Sequence, residues 1–332
     1  MKSARTKELL DSFEGKRVLV VGDLMLDEYL WGAVKRISPE APVMVVEVDG
    51  DSDFRPGGAA NVVHNVQALG ALASLIGVVG DDSHGRRLTQ QLSDAGVDVD
   101  GIVVDRTRQT TRKTRIIAHN QQVVRVDREN AREIDSRAAR KMLAQMEREV
   151  PNCDAVLFSD YDKGVTRSDL VPEGIALSRR YGRLVTSNPK PMNVSRFKGA
   201  TVITLNESEA QTASQIVLNG DEAVRTAGCK LVEELDADAV VITRGAAGLC
   251  VCERAGKAHF VAATPIEVYD VAGAGDTVIS ALTLALTAGA DFVEAAILAN
   301  WAAGAAVRKV GVATVSRREI EQVSRGVVPK AD

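Results

Sequence analysis

The sequence predicts an α/β fold, with one mostly parallel sheet and helices on both of its faces. Two observations predict it. Short apolar runs recur along the chain, each closed by polar residues and followed by a helical stretch. Most of these runs are continuously apolar rather than alternating, as expected of strands buried on both faces. Length and composition agree: 332 residues, 45% hydrophobic and 26% charged, can fill a large core. No repeat, low-complexity linker or Pro/Ser tract divides the chain, so residues 1–332 read as a single domain.

Several function classes are disfavoured at the outset. The formal net charge is −4, and no basic excess points to nucleic acid or to a membrane surface. The polar stretch Met1 to Lys16 lacks the apolar segment of a signal peptide. The longest low-charge run, Thr277 to Ala290, is too short for a bilayer span. The 4 cysteines form no C-x-x-C pair, although Cys250 and Cys252 would share one face of a strand. They read as reduced core residues of a cytoplasmic protein. The scattered histidines give no zinc spacing.

In chain order, Arg17 to Val21 is the first strand, ending at Gly22-Asp23 with Asp27 beyond. Ligands bind at the carboxyl ends of strands in open α/β sheets, so Asp23 is a candidate to accept hydrogen bonds from a polyhydroxylated ligand. A turn-forming Asp is the alternative. Val43 to Val48 reads as a strand. The string Arg55-Pro56-Gly57-Gly58-Ala59-Ala60-Asn61 then leads into a helix ending near Leu69. Its glycine pair permits close backbone approach, and Asn61 offers both a donor and an acceptor. Ala73 to Val79 is a strand, and a helix over 85–95 stops at Gly96.

Residues 101–127 are β-branched and alternating, which predicts an antiparallel patch with a turn near Asn120. In that arrangement Lys113, Arg115 and Arg125 could share one face. Clustered cations suit an anionic ligand, and a solvated charged face is the alternative. A helix over 135–149 follows. Strands then end at Ser159-Asp160-Tyr161-Asp162-Lys163-Gly164, at Ser187-Asn188-Pro189-Lys190, at Asn206-Glu207-Ser208-Glu209 and at Arg244-Gly245. Cys250–Val251 and His259–Val261 suggest a hairpin. Helices over 277–288 and 291–309, and one from Arg317, complete the chain.

Just before the first of those last helices lies Asp270-Val271-Ala272-Gly273-Ala274-Gly275-Asp276-Thr277. Two glycines two residues apart allow a sharp turn. Free N–H groups at a helix start attract anions. A phosphate cradle alone gains nothing from a carboxylate there, but a phosphoryl-transfer site does if Asp276 takes a proton from the attacking hydroxyl. A helix-capping Asp is the alternative. The chain has no G-x-x-x-x-G-K-[ST] loop, no dinucleotide fingerprint after its first strand and no protein-kinase motif pair.

Gly57-Gly58-Ala59-Ala60-Asn61 and Asp270 to Asp276, in that order, resemble the motif pair of the ribokinase-like (PfkB) carbohydrate kinases. The resemblance covers nearly the whole chain. It implies a three-layer α/β/α fold with a small β-lid, here at about 28–48 and 101–126. It also implies ATP and Mg²⁺, with potassium activation known among relatives. Within the family, several strings resemble kinases that phosphorylate D-glycero-β-D-manno-heptose 7-phosphate at O1. They are Gly22 to Asp27, Arg36 to Val43, Arg55-Pro56-Gly57-Gly58, Asn120-Gln121-Gln122, Ser159 to Gly164 and Val268-Tyr269-Asp270. No H-x-G-H nucleotidyltransferase string is present, so the chain resembles a stand-alone kinase. Asn188 stands where the fused enzymes would carry Asp.

The resemblance implies roles by position. Asp276 would be the base, with the backbone of Gly273, Ala274 and Gly275 stabilising the transferring group. Asp23, Gly57, Gly58, Asn61, Gln122, Asp160 and Lys163 would meet the sugar. Lys113, Arg115 and Arg125 would meet its distal phosphate. Lys190, Asn206, Glu209, Gly245 and Asn300 would serve the nucleotide, with Asn206 and Glu209 positioning the metal through water; for Asn300 a packing role is the alternative. The lid implies a homodimer. A kinase for another sugar and a non-catalytic sugar or nucleotide sensor are the competing expectations.

Overall fold

The computed structural model describes residues 1–119 and 121–327. The chain opens with α1 (Ser3–Asp11) and a strand of 21 residues, β1 (Arg17–Ile37). It continues through β2 (Met44–Val48), β3 (Asp53–Gly58), α2 (Ala59–Ala68), β4 (Leu72–Gly80), α3 (Ser83–Asp94) and β5 (Ile102–Asp105). A hairpin of β6 (Thr111–Ala118) and β7 (Gln121–Arg128) precedes α4 (Ser136–Glu149) and β8 (Ala155–Ser159). Next come α5 (Leu170–Arg180), β9 (Leu184–Asn188), β10 (Val202–Asn206), α6 (Glu207–Ser214), α7 (Asp221–Glu234) and β11 (Ala239–Thr243). The antiparallel pair β12 (Leu249–Glu253) and β13 (Ala258–Val261) leads to α8 (Ala274–Thr287), α9 (Phe292–Ala306) and α10 (Arg317–Ser324).

The main sheet runs β13-β12-β11-β10-β9-β8-β1-β4-β5, with β12 alone running against the other strands. From β1 the order proceeds one way to β4 and β5, and from β8 the other way to β13. The switch between β1 and β8 opens a crevice at their carboxyl ends. Alternation along β1 sorts the two faces. Val18 and Val20 pack with α1, α2, α3, α8, α9 and α10, while Leu19 and Val21 pack with α4, α5, α6 and α7. The three layers follow from that period of two. No helix among the described residues is long and apolar enough to cross a membrane.

β1 does not stop at Val21. Past Asp23 it leaves the main sheet and pairs antiparallel with β3, parallel with β6 and antiparallel with β2. One strand thus carries the chain from core to lid. The lid departs from the expected segments in two ways. Ile102–Asp105 pairs with β4 in the main sheet and is no part of the lid. Asp53–Gly58, where Pro and Gly suggest a loop, is a lid strand held on one side by β1. Register Arg115↔Arg125 and Asp27↔Lys113 puts Asp27, Lys113, Arg115 and Arg125 on one lid face. The turn expected near Asn120 falls on a residue outside those described.

Candidate active site at the strand ends

The helix α8 begins one turn earlier than periodicity suggests. Gly273 is its N-cap, at φ +77, a conformation that glycine adopts without strain. Asp276 is therefore the third residue of the first turn. Ala274 donates its N–H to the Val271 carbonyl at 3.2 Å. Gly275 and Asp276, like all first-turn residues, have no earlier helical carbonyl to bond. A side chain at Gly275 would meet nothing within 4 Å, so this backbone faces open space.

Asp276 is only 3% exposed. Asn61 Nδ2 donates to its Oδ2 at 2.7 Å, and the Tyr161 hydroxyl donates to its Oδ1 at 2.6 Å. Burial pushes the Asp276 carboxyl up to about 6, against the opposing pull of those two donors and of Lys190; nearby Asp27 pushes the same way as burial. The Asn61 amide is oriented by Asn65, which donates to Asn61 Oδ1 at 3.2 Å and is itself bonded by Thr277 at 2.8 Å. Two helices separated by most of the chain are thereby locked around one carboxylate.

The expected sugar residues divide. Asp23 is buried and accepts from the backbone N–H groups of Tyr161, Lys163 and Val165 at 2.9, 2.9 and 3.1 Å. Burial raises its carboxyl to about 6 despite these bonds. Asp160 is wholly buried and accepts from Thr166 Oγ1, the Lys190 N–H and Asn193 Nδ2. Through these bonds both carboxylates shape the 160–166 loop. Further along β1, Asp27 lies on the lid face opposite Lys113. It is 4% exposed, is ion-paired with Arg115 and acts electrostatically on Asp276. Gly57 is needed because a Cβ there would collide with Asp27 Oδ2. Gly58 sits at φ +61 against the Asp23 carbonyl.

On the lid face, Arg115 stacks 5.3 Å from the Tyr29 ring centre. Lys113 makes no ion pair among the described residues, and burial lowers its affinity for its proton. Arg125 is exposed and paired with Asp127 at 2.8 Å. Lys163 pairs with Glu129 at 2.8 Å and lies close enough to Lys113 to disfavour its charge. Gln122, opposite Ile117, is exposed and lies beyond Arg115 towards the outer end of the lid.

On the other side of Asp276, a cavity of about 140 Å³ is lined by Tyr161, Asn188, Lys190, Asn206, Glu209, Thr243 and Gly275. Lys190 Nζ lies 2.6 Å from Glu209 Oε1 and 5.6 Å from the Tyr161 ring centre. Asn206 and Glu209 form a reciprocal capping box on α6. The N-x-x-E spacing therefore has a structural cause as well as the implied metal role. The donors fit Mg²⁺: a carboxylate and amide oxygens, without sulfur or imidazole. Asn188 Oδ1 is buried without a hydrogen-bond partner, an acceptor left open at this wall. No cluster of three or more His, Cys, Asp or Glu among the described residues could hold a metal alone, so water and phosphate oxygens would complete its shell. Gly245 sits at φ +54 beyond the end of β11 with open space where a Cβ would be. Asn300 donates to the Ala262 carbonyl at 2.8 Å.

Sequence reasoning missed Asp27 and Tyr161. Both lie inside strings that it singled out. The available signals were an Asp at an alternate position along an extended strand and a phenol at a strand end.

Residues 16–319 match the family described as pfkB family carbohydrate kinase. The chain is 45% identical over 309 residues to the bifunctional protein HldE of Desulfatibacillum aliphaticivorans, covering 93% of this chain and 63% of that protein. It is 46% identical over 302 residues to the bifunctional protein HldE of Geobacter sulfurreducens, covering 91% and 61%. The chain thus spans a little over three-fifths of these relatives. Phosphofructokinase-2 from Escherichia coli, in complex with potassium, superposes with a TM-score of 0.77 at 18% identity, over 94% of this chain and 99% of that one. Arabidopsis thaliana ribokinase, complexed with ribose and ATP, gives 0.74 at 18%, over 93% and 98%. These last two are likenesses of fold.

Proposed function

The chain belongs to the pfkB family of carbohydrate kinases, ATP-dependent enzymes with the ribokinase-like fold described above, and from that premise we propose that it phosphorylates D-glycero-β-D-manno-heptose 7-phosphate at O1. The observation that carries the proposal is the setting of Asp276. A buried carboxylate at a helix start stands between a cation-rich lid face and a small polar cavity that holds Lys190 and Glu209. The heptose reading draws its support from relatives named bifunctional protein HldE at 45% and 46% identity.

In this reading the sugar lies under the lid with O1 at Asp276. The carboxylate accepts the O1 proton as the oxygen attacks the γ-phosphorus of ATP, and ADP leaves. A positioned base of this kind contributes on the order of 10²–10⁴-fold. The backbone N–H groups of Gly275 and Asp276 meet the charge spread over the transferring oxygens. Lys190 neutralises phosphate charge from the opposite wall. Glu209, Asn206 and Asn188 would hold Mg²⁺ through water, and that ion would supply charge neutralisation. The distal phosphate falls to Lys113, Arg115, Arg125 and Lys163, with Arg115 needing release from Asp27 or sharing with it. Asp27 joins Asp23 as a second carboxylate for the sugar hydroxyls.

Closure of the lid excludes water and so limits wasteful ATP hydrolysis. Exposed Met44, Val48, Val124 and Val126 on the lid support a homodimer through it. Free cysteines accord with a cytoplasmic location. The test is ADP release with heptose 7-phosphate, fructose 6-phosphate, ribose and fructose, with phosphorus NMR of the product. Heptose 7-phosphate should give the highest kcat/KM and a 1,7-bisphosphate. Preference for a free sugar, or a phosphate placed elsewhere than O1, would overturn the reading.

A further inference from the structure

Tyr161 has a hydroxyl that the chemistry above does not use. It lies in the loop after β8, far in sequence from both catalytic motifs. Its O–H is 2.6 Å from Asp276 Oδ1, while Asn61 occupies Oδ2. Its ring lies beneath the Lys190 ammonium, 5.6 Å from ring centre to Nζ. The loop that carries it is pinned by the buried carboxylates of Asp23 and Asp160, so the phenol is aimed by a rigid support.

We propose that Tyr161 is a positioning residue for the base: its hydroxyl holds the Asp276 carboxylate ionised and turned toward the acceptor. The proposal rests on the reading of Asp276 as base. A carboxylate oxygen has room for more than one donor, so the sugar hydroxyl can approach Oδ1 beside the phenol. The phenol itself stays protonated, because burial and the neighbouring Asp276 charge oppose its ionisation, and so it remains a donor. The charged groups facing the pair are Asp27 from β1, Lys190 beyond β9 and Glu209 from α6. Asp27 disfavours charge on Asp276, Lys190 favours it, and the Tyr161 hydrogen bond adds to the favourable side. Loss of that bond lifts the pH at which Asp276 gives up its proton, and the base is then protonated over more of the acid range.

The test is Tyr161→Phe, which keeps the ring and its packing. Its kcat/KM should fall roughly tenfold near pH 6 and no more than about threefold near pH 8.5, as the acid limb moves upward. A fall by one constant factor at all pH values would mean that Tyr161 only supports the loop, and would overturn the proposal. A second measurement needs no turnover. Carboxyl ¹³C NMR of the ligand-free protein, with the Asp276 signal identified by its absence in Asp276→Asn, should show that signal titrating at higher pH in Tyr161→Phe. An unchanged midpoint overturns the proposal. Absence of turnover with every sugar in the wild-type protein would instead defeat the kinase substrate reading, and the NMR titration would still decide the role of Tyr161.

Discussion

In the proposed role of base, Asp276 combines two requirements that oppose each other. A base must be ionised to accept a proton, yet burial favours the neutral acid. The hydrogen bonds from Asn61 and Tyr161 and the charge of Lys190 moderate the penalty, and the carboxyl comes to rest at about 6. Asp23 has the same value from burial, opposed by three backbone donors. For both groups the folded state holds a proton that the unfolded chain has released by about pH 4. The sign follows: their contribution to stability falls as pH rises from about 4 to about 6, by on the order of 3 kcal/mol for each fully buried group. Asp276→Asn is expected to cost roughly 10²–10⁴-fold in turnover while leaving ATP affinity within a few-fold. Relative to wild type, its thermal stability should improve as pH rises across that window. Turnover close to wild type would remove Asp276 from the role of base, and parallel stability curves would remove the argument from burial.

At the scale of elements, α6 and β1 each do two jobs. The Asn206–Glu209 capping box satisfies N–H groups at the start of α6 and also points Glu209 Oε1 at Lys190. Loss of such a cap typically costs about 1 kcal/mol. Asn206→Ala is expected to lower stability by about that amount and to raise KM for ATP with a smaller change in kcat. Denaturant unfolding and steady-state kinetics measure the two effects. An unchanged KM would leave the box a purely structural device. β1 joins core and lid as one continuous strand, so Asp27 and Asp23 share a backbone but not an environment. The apolar run Val18 to Val21 was legible because a doubly covered strand is apolar without interruption. Its extension past Asp23 was hidden, because mixed residues in a lid strand carry no such uniform pattern. The same reason concealed β3, whose Pro56, Gly57 and Gly58 resemble a turn.

On the scale of the molecule, the reversal of strand order between β1 and β8 creates the crevice in which the two motifs meet. The glycine pair at the end of β3 leads into α2 and the Asp276 turn opens α8; the two helices pack side by side and are bonded through Asn61, Asn65 and Thr277. The lid projects beyond this crevice and exposes Met44 at 54% and Val126 at 45%. Burial of a lone Met or Val in a subunit contact is worth about 1.5–3 kcal/mol. Met44→Glu should therefore shift a dimer toward monomer in light scattering, with a weaker apparent sugar affinity if the lid depends on its partner. A monomeric wild-type protein at all accessible concentrations would exclude the dimer.

By itself the sequence determined the layered α/β class, the two glycine motifs, Asp276 and the family. Those signals are local: an apolar run, a turn residue, a helix start, a short string. The tertiary structure decided how Asp23 and Asp27 are placed, which β segments form the lid and what touches Asp276. Asn61 and Tyr161 reach Asp276 across 215 and 115 positions of sequence. Such contacts depend on strand register and on the packing of distant elements, and a shift of one residue would turn every side chain of a strand to its other face. Asp23 and Asp27 show the consequence. They are four residues apart on one strand, yet the first is sealed beneath a loop by three backbone donors, whereas the second pairs with Arg115 on the lid.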